Sequence, residues 1–140
     1  MAADYKILSV MVCDDIRFET NGKEIIIGVY NNTIIVPSLP TVFPLLAFRV
    51  AAKLTKTKMG NVTFYLKDPS GKEITAHTIP GRTVETTDDP ALFSLQIGPV
   101  VFPLAGVYSF WFGIDRKPEK TFTFRVRLPT DATESARLET

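Results

Sequence analysis

Short segments in which apolar and polar residues alternate with a period of two recur along most of the chain. This constrains the fold more than any other feature, because a period of two belongs to a strand and a helix needs spacings of three and four. The clearest case is 45–55, where Leu46, Phe48, Val50, Ala52 and Leu54 fall on one face and Ala47, Arg49, Ala51 and Lys53 on the other. Val62, Phe64 and Leu66 repeat the pattern, as do Phe93, Leu95 and Ile97, then Tyr108, Phe110, Phe112 and Ile114, then Phe122, Phe124 and Val126. Residue types agree with it: 12 Val, 11 Ile, 16 Thr and 10 Phe suit a pleated, half-buried surface. A helical bundle, a coiled coil and a disordered chain are all disfavoured.

Strands are expected at 5–13, 16–20, 24–30, 33–36, 45–55, 62–67, 73–79, 92–97, 108–114 and 122–126. Asn21-Gly22 reads as a hairpin, since both residues tolerate positive φ. Asp68-Pro69-Ser70-Gly71 is a turn in which Pro presets φ and Gly accepts the left-handed position. The polar stretch 80–90 reads as a long surface loop and 129–140 as a frayed polar tail. Regular turn spacing predicts an all-β fold: an immunoglobulin-like, two-sheet antiparallel sandwich of about seven to nine strands, with residues 1–128 as one domain. The immunoglobulin-like form is favoured by Tyr108, two residues before the core position Phe110, where a tyrosine hydroxyl bonds back across a corner.

Charge and cysteine content narrow the function classes. A net charge of +1 gives no sign of a nucleic-acid binder, and no apolar run is long enough to span a bilayer. The lysines and arginines of two clusters (Lys53, Lys56, Lys58; Arg116, Lys117, Lys120), with Arg125 and Arg127, read as outer strand faces and edge protection. A single cysteine, Cys13, and an N-terminal run that looks like a strand and not a secretory signal predict a cytoplasmic setting. One Cys and one His, His77, supply too few ligands for a zinc site, and a Cys13–His77 nucleophilic pair has ordinary strand explanations for both members. Neither a catalytic site, a cofactor nor a metal is predicted. Asp14, Asp15, Asp68, Asp88, Asp89 and Asp115 fall at expected strand ends or loops. Calcium binding is the sharper reading of them and local turn hydrogen bonding the plainer one.

Val12-Cys13-Asp14-Asp15-Ile16-Arg17, with Gly22-Lys23 and Ile27-Gly28-Val29-Tyr30, resembles the opening of an uncharacterised bacterial family of small β proteins, a domain of unknown function. Pro37 to Phe48, Tyr108-Ser109-Phe110 and Phe122 to Val126 fit the same pattern, so the resemblance covers about residues 5–127. It implies a sandwich fold and a bacterial or phage-associated cytoplasmic protein, and it brings no activity and no site residues.

The remaining signal is Val36 to Leu46, whose Pro37, Pro40 and Pro44 forbid a central strand or an ordinary helix. Its Leu39, Val42 and Phe43 either plug an open end of the sandwich or are held outward as a preorganised contact surface. The second reading is taken. Trp111, on the face opposite Phe110 and Phe112, is a further candidate contact. The leading function is a non-enzymatic interaction or assembly module that binds another protein or itself, with a homo-oligomer the simplest case. The alternative is a small-ligand binder or enzyme using Asp14, Asp15 and His77 in a cleft.

Overall fold

The computed structural model describes residues 5–55, 61–79 and 90–129. Two turns with the same design show how local chemistry sets the strands. At Glu19–Gly22 and again at Asp68–Gly71, the glycine amide donates to the carbonyl three residues back at 2.9 Å. Gly22 and Gly71 then take φ of 87° and 88°, a left-handed conformation in which a Cβ would crowd the backbone. Asn21 does not share the positive φ. Its side chain accepts from the Lys23 amide instead.

Eleven strands form among the described residues: β1 Tyr5–Phe18, β2 Glu24–Val29, β3 Thr33–Ile35, β4 Thr41–Phe43, β5 Leu46–Leu54, β6 Val62–Lys67, β7 Glu73–Ile79, β8 Ala91–Ile97, β9 Val100–Phe102, β10 Gly106–Ile114 and β11 Glu119–Arg127. They assemble as a four-stranded sheet β2-β1-β5-β8, a five-stranded sheet β3-β11-β10-β6-β7 and a two-stranded ribbon β4-β9. Two expectations need correction. Residues 5–18 are one strand running through Asp14 and Asp15, because β2 continues the ladder from Cys13 where β5 leaves off and the two carboxylates find partners in Tyr30 and Gln96. The pairing is not wholly antiparallel either, since β3 runs parallel to β11. The loop expected at 80–90 (apart from Pro90), the tail from 130 onward, and Lys56, Lys58, Asp88 and Asp89 lie outside the described residues.

The inward positions of the alternating segments meet between the two larger sheets. Phe48 of β5 stacks on Phe110 of β10 with centroids 4.4 Å apart, and Phe93 of β8 meets Phe112 edge-on at 5.6 Å. Val12, Val50, Leu66, Phe124 and Val126 complete the buried centre. Removing this much apolar side chain from water is the main term holding the sheets together.

Ala47, on the opposite face of β5, is equally buried. The reason is the β1–β2 hairpin, which crosses the outer face of β5 and β8. Ile16 and Ile26 pack there on Cys13 and Ala47. Glu24 pairs with Arg49 of β5 and accepts from Ser94 of β8, while Gln96 of β8 donates to Asp15 and to the Ile16 carbonyl. No helix of the described residues is long and apolar enough to cross a membrane.

Candidate functional site

The proline-rich segment closes one end of the molecule. Val36 is buried and donates its amide to the Arg127 carbonyl, after which three prolines steer the chain across the opening. Between them β4 pairs with β9 in the register Thr41–Phe102, Val42–Val101 and Phe43–Val100. No strand was expected at either place, since three residues carry little alternation. The ribbon nevertheless alternates: Val100 and Phe102 point into the core, and Phe43 meets Phe102 edge-on at 5.2 Å. Leu39 also packs against the core. Val42 and Val101, directly opposite one another, point out and are 58% and 48% exposed. The segment therefore plugs the end with Leu39 and Phe43 and presents Val42 to solvent.

A buried corner holds the next part of this surface. Tyr108 at the start of β10 is fully buried, and its hydroxyl donates to the Leu104 carbonyl at 2.7 Å and accepts from the Leu104 amide at 3.2 Å. Its ring stacks on Phe124 and meets Phe102 edge-on. Burial pushes the phenol pKa above its ordinary 10.0, so the hydroxyl stays protonated and remains a donor. Leu104, fixed in this way, leaves its own side chain exposed, as does Leu45 just before β5. No residue in 25–48 or 90–114 carries a charge. That double run was the available sequence signal for Val101 and Leu104, which were not singled out from the sequence.

Trp111 lies elsewhere, on the outer face of the five-stranded sheet. It stacks with Tyr65 at 5.7 Å, carries the Lys67 ammonium 4.1 Å above its ring, and donates from Nε1 to the Ser109 hydroxyl at 2.8 Å. These contacts occupy the ring's face and its polar edge. The four candidate contact residues thus divide: Val42 and Phe43 lie on the end ribbon, Leu39 packs on the core just before it, and Trp111 lies elsewhere.

The residues of the alternative reading are not brought together. Cys13 is buried under the β1–β2 hairpin, and burial pushes its thiol pKa up. His77 lies on β7 at the edge of the other sheet, stacked on Phe64 and bonded to the Thr75 hydroxyl. Asp14 accepts from the Tyr30 hydroxyl, whose pKa is raised by burial and then by that carboxylate. Asp15 accepts from Arg17, from the Ile16 amide and from Gln96, and the Arg17 bond comes first in holding its pKa below the ordinary value. Asp68 accepts from the Ser70 hydroxyl and the Ser70 and Lys72 amides, the turn role its residue type favours. Asp115 forms a separate turn at the end of β10, with φ of 60°. Among the described residues no three of His, Cys, Asp and Glu gather where a metal ion could sit.

Comparison with known proteins gives one family. It is described as a family of unknown function (DUF6941), and the match covers residues 8–127. No curated protein matches the chain.

Proposed function

The chain belongs to the DUF6941 family, and from that premise we propose a non-enzymatic interaction module with an immunoglobulin-like sandwich fold that assembles with a second copy of itself. The fold reading is supported by the two facing sheets and by the Tyr108 corner, two residues before the core Phe110 and four after its backbone partner Leu104. The cytoplasmic setting goes with it, supported by a lone buried thiol at Cys13. Bacterial or phage origin rests on the sequence resemblance alone.

One observation carries the assembly reading: the β4–β9 end is apolar on its outward side and built wholly from charge-free sequence. Val42, Val101, Leu45 and Leu104 are exposed there, and the two sequence runs that build it contain none of the chain's 31 charged residues. A face that meets only water normally carries interspersed charge, whereas homodimer interfaces are depleted of it. Pro40, Pro44, Pro99 and Pro103 flank the two strands and restrict φ, so little conformational freedom is lost when the surface is covered.

The test combines Val42→Glu with Val101→Lys. The two new side chains sit opposite each other and can pair across the ribbon, so the ladder is kept. In an interface both would have to be desolvated. Light scattering over a range of concentrations is expected to show a dimer for the wild type and a folded monomer for the variant, with melting changed little. A wild type that stays monomeric throughout, or a variant that stays dimeric, overturns the reading.

A further inference from the structure

The β1–β2 hairpin stands apart from the rest of the packing. No apolar residue from Cys13 to Val29 belongs to the main core or packs against it. What holds the hairpin to the sandwich is a second, smaller cluster, Ile16 and Ile26 on Cys13 and Ala47. Ladder bonds do not help. The β1–β5 register ends at the Cys13–Ala47 pair, and among the described residues β2 has only β1 beside it in the sheet. The remaining ties run through side chains: Arg49 and Ser94 donate to Glu24, and Gln96 donates to Asp15 and to the Ile16 carbonyl.

The base of the hairpin is its irregular part. The ladder pairs Cys13 with Val29 and Asp15 with Ile27 but skips Asp14 and Gly28 between them. Gly28 takes φ of 67° there, and the space a Cβ would fill holds the Asp14 carboxylate. A few residues of this kind, at the end of an element, are what absorb the dihedral change when a folded unit swings. Beyond the base, the pairs from Asp15–Ile27 to Phe18–Glu24 and the Glu19–Gly22 turn keep the hairpin together. The strands of the main core have no such freedom, because separating any of them opens the apolar centre.

We propose that the β1–β2 hairpin is a cover that lifts as one unit about Asp14 and Gly28 while the two facing sheets stay folded. A unit with few buried apolar contacts opens at a lower free energy than the whole domain. Lifting uncovers Ala47 and frees three donors on β5 and β8: the Arg49 guanidinium, the Ser94 hydroxyl and the Gln96 amide. The closed hairpin answers all three with its own oxygens, so Glu24 and Asp15 hold that face shut. The hairpin is no part of the β4–β9 ribbon, and the assembly reading and this one do not depend on each other.

Cys13 reports the opening, because its thiol is fully buried beneath the hairpin. Alkylation of the full chain by iodoacetamide is followed by mass at several urea concentrations, in the wild type and in Val42→Glu/Val101→Lys. Labelling is expected to rise only weakly with urea in both, since lifting exposes far less surface than global unfolding followed by Trp111 fluorescence. Cys13→Ala with Ala47→Cys exchanges two register partners and moves the thiol to the sheet side; it should label with the same shallow slope. Glu24→Gln weakens a tie that lifting breaks and should speed Cys13 labelling about tenfold. Phe124→Leu weakens a core contact that lifting keeps, so it should lower the global urea midpoint and leave labelling in water unchanged. The proposal is wrong if wild-type Cys13 labels with the slope of global unfolding or if the exchanged thiol labels only when the chain unfolds. It is also wrong if Glu24→Gln leaves the rate unchanged, or if Phe124→Leu speeds labelling in step with its loss of stability.

Discussion

Replacing Tyr108 by Phe removes one oxygen atom and keeps the ring that packs against Phe102 and Phe124. Two hydrogen bonds go with it, one donated to the Leu104 carbonyl and one accepted from the Leu104 amide. At about 1 kcal/mol net for each bond the loss would be about 2 kcal/mol. The two bonds to Leu104 are part-buried, and the scatter of single-bond values brings the lower bound to about 1 kcal/mol. For a domain of this size, that lowers Tm by roughly 3–8 °C. Urea titration should show an earlier midpoint with an unchanged slope, because the surface exposed on unfolding is the same. Tyr108→Leu, which also loses the ring contacts, should cost about 3 kcal/mol or more. The corner argument fails if Tyr108→Phe matches wild type, or if it is as damaging as Tyr108→Leu.

Glu24→Ala should cost about 2 kcal/mol, since Arg49 is left mostly covered without its carboxylate and Ser94 loses its acceptor. Amide exchange in β2 should quicken first, because Glu24 ties the hairpin to β5 and β8, and uniform quickening would refute this. Gly28→Ala is expected to cost at least about 1–2 kcal/mol from its φ of +67° alone, and more because the new Cβ would collide with the Asp14 carboxylate. Asp14→Ala in the same chain should recover the collision part, so strictly additive losses would count against it. The Asp68 carboxyl is held below its ordinary pKa of 3.8, first by the Ser70 hydroxyl and then, with desolvation opposing, by the Lys72 and Ser70 amides. A depressed folded pKa contributes stability above pH 3.8 that is lost as pH falls through the folded value. Ser70→Ala should therefore flatten acid destabilisation below about pH 4, seen as a smaller fall in Tm between pH 5 and 3.

What could be read from the sequence depended on how local the cause was. Phe48, Val50, Leu66, Phe93 and Phe110 were assigned to the core because side-chain direction alternates along a strand whatever it pairs with. The Asp68–Gly71 turn was legible because Pro, Asp and Gly act on their own backbone. Asp14 and Asp15 were misread as a strand end. Their partners, Tyr30 and Gln96, lie 16 and 81 residues away, and no local pattern announces them. His77 and the paired aspartates looked like a possible cleft only because sequence does not say which sheet a strand joins.

Alternation and turn chemistry by themselves determined that this chain makes strands, where most of them run, and which side chains each one buries. Both are set by dihedral preferences and by the two-residue period of the pleat. Only the tertiary structure decided that the β1–β2 hairpin crosses the outer face of β5, that two three-residue strands cap one end, and that β3 lies parallel to β11 but reaches only its last three residues. Those are choices of partner and register between distant segments, made by the packing energy of the whole chain and not by any one stretch of it. The exposed Val42–Val101 pair is a product of that pairing.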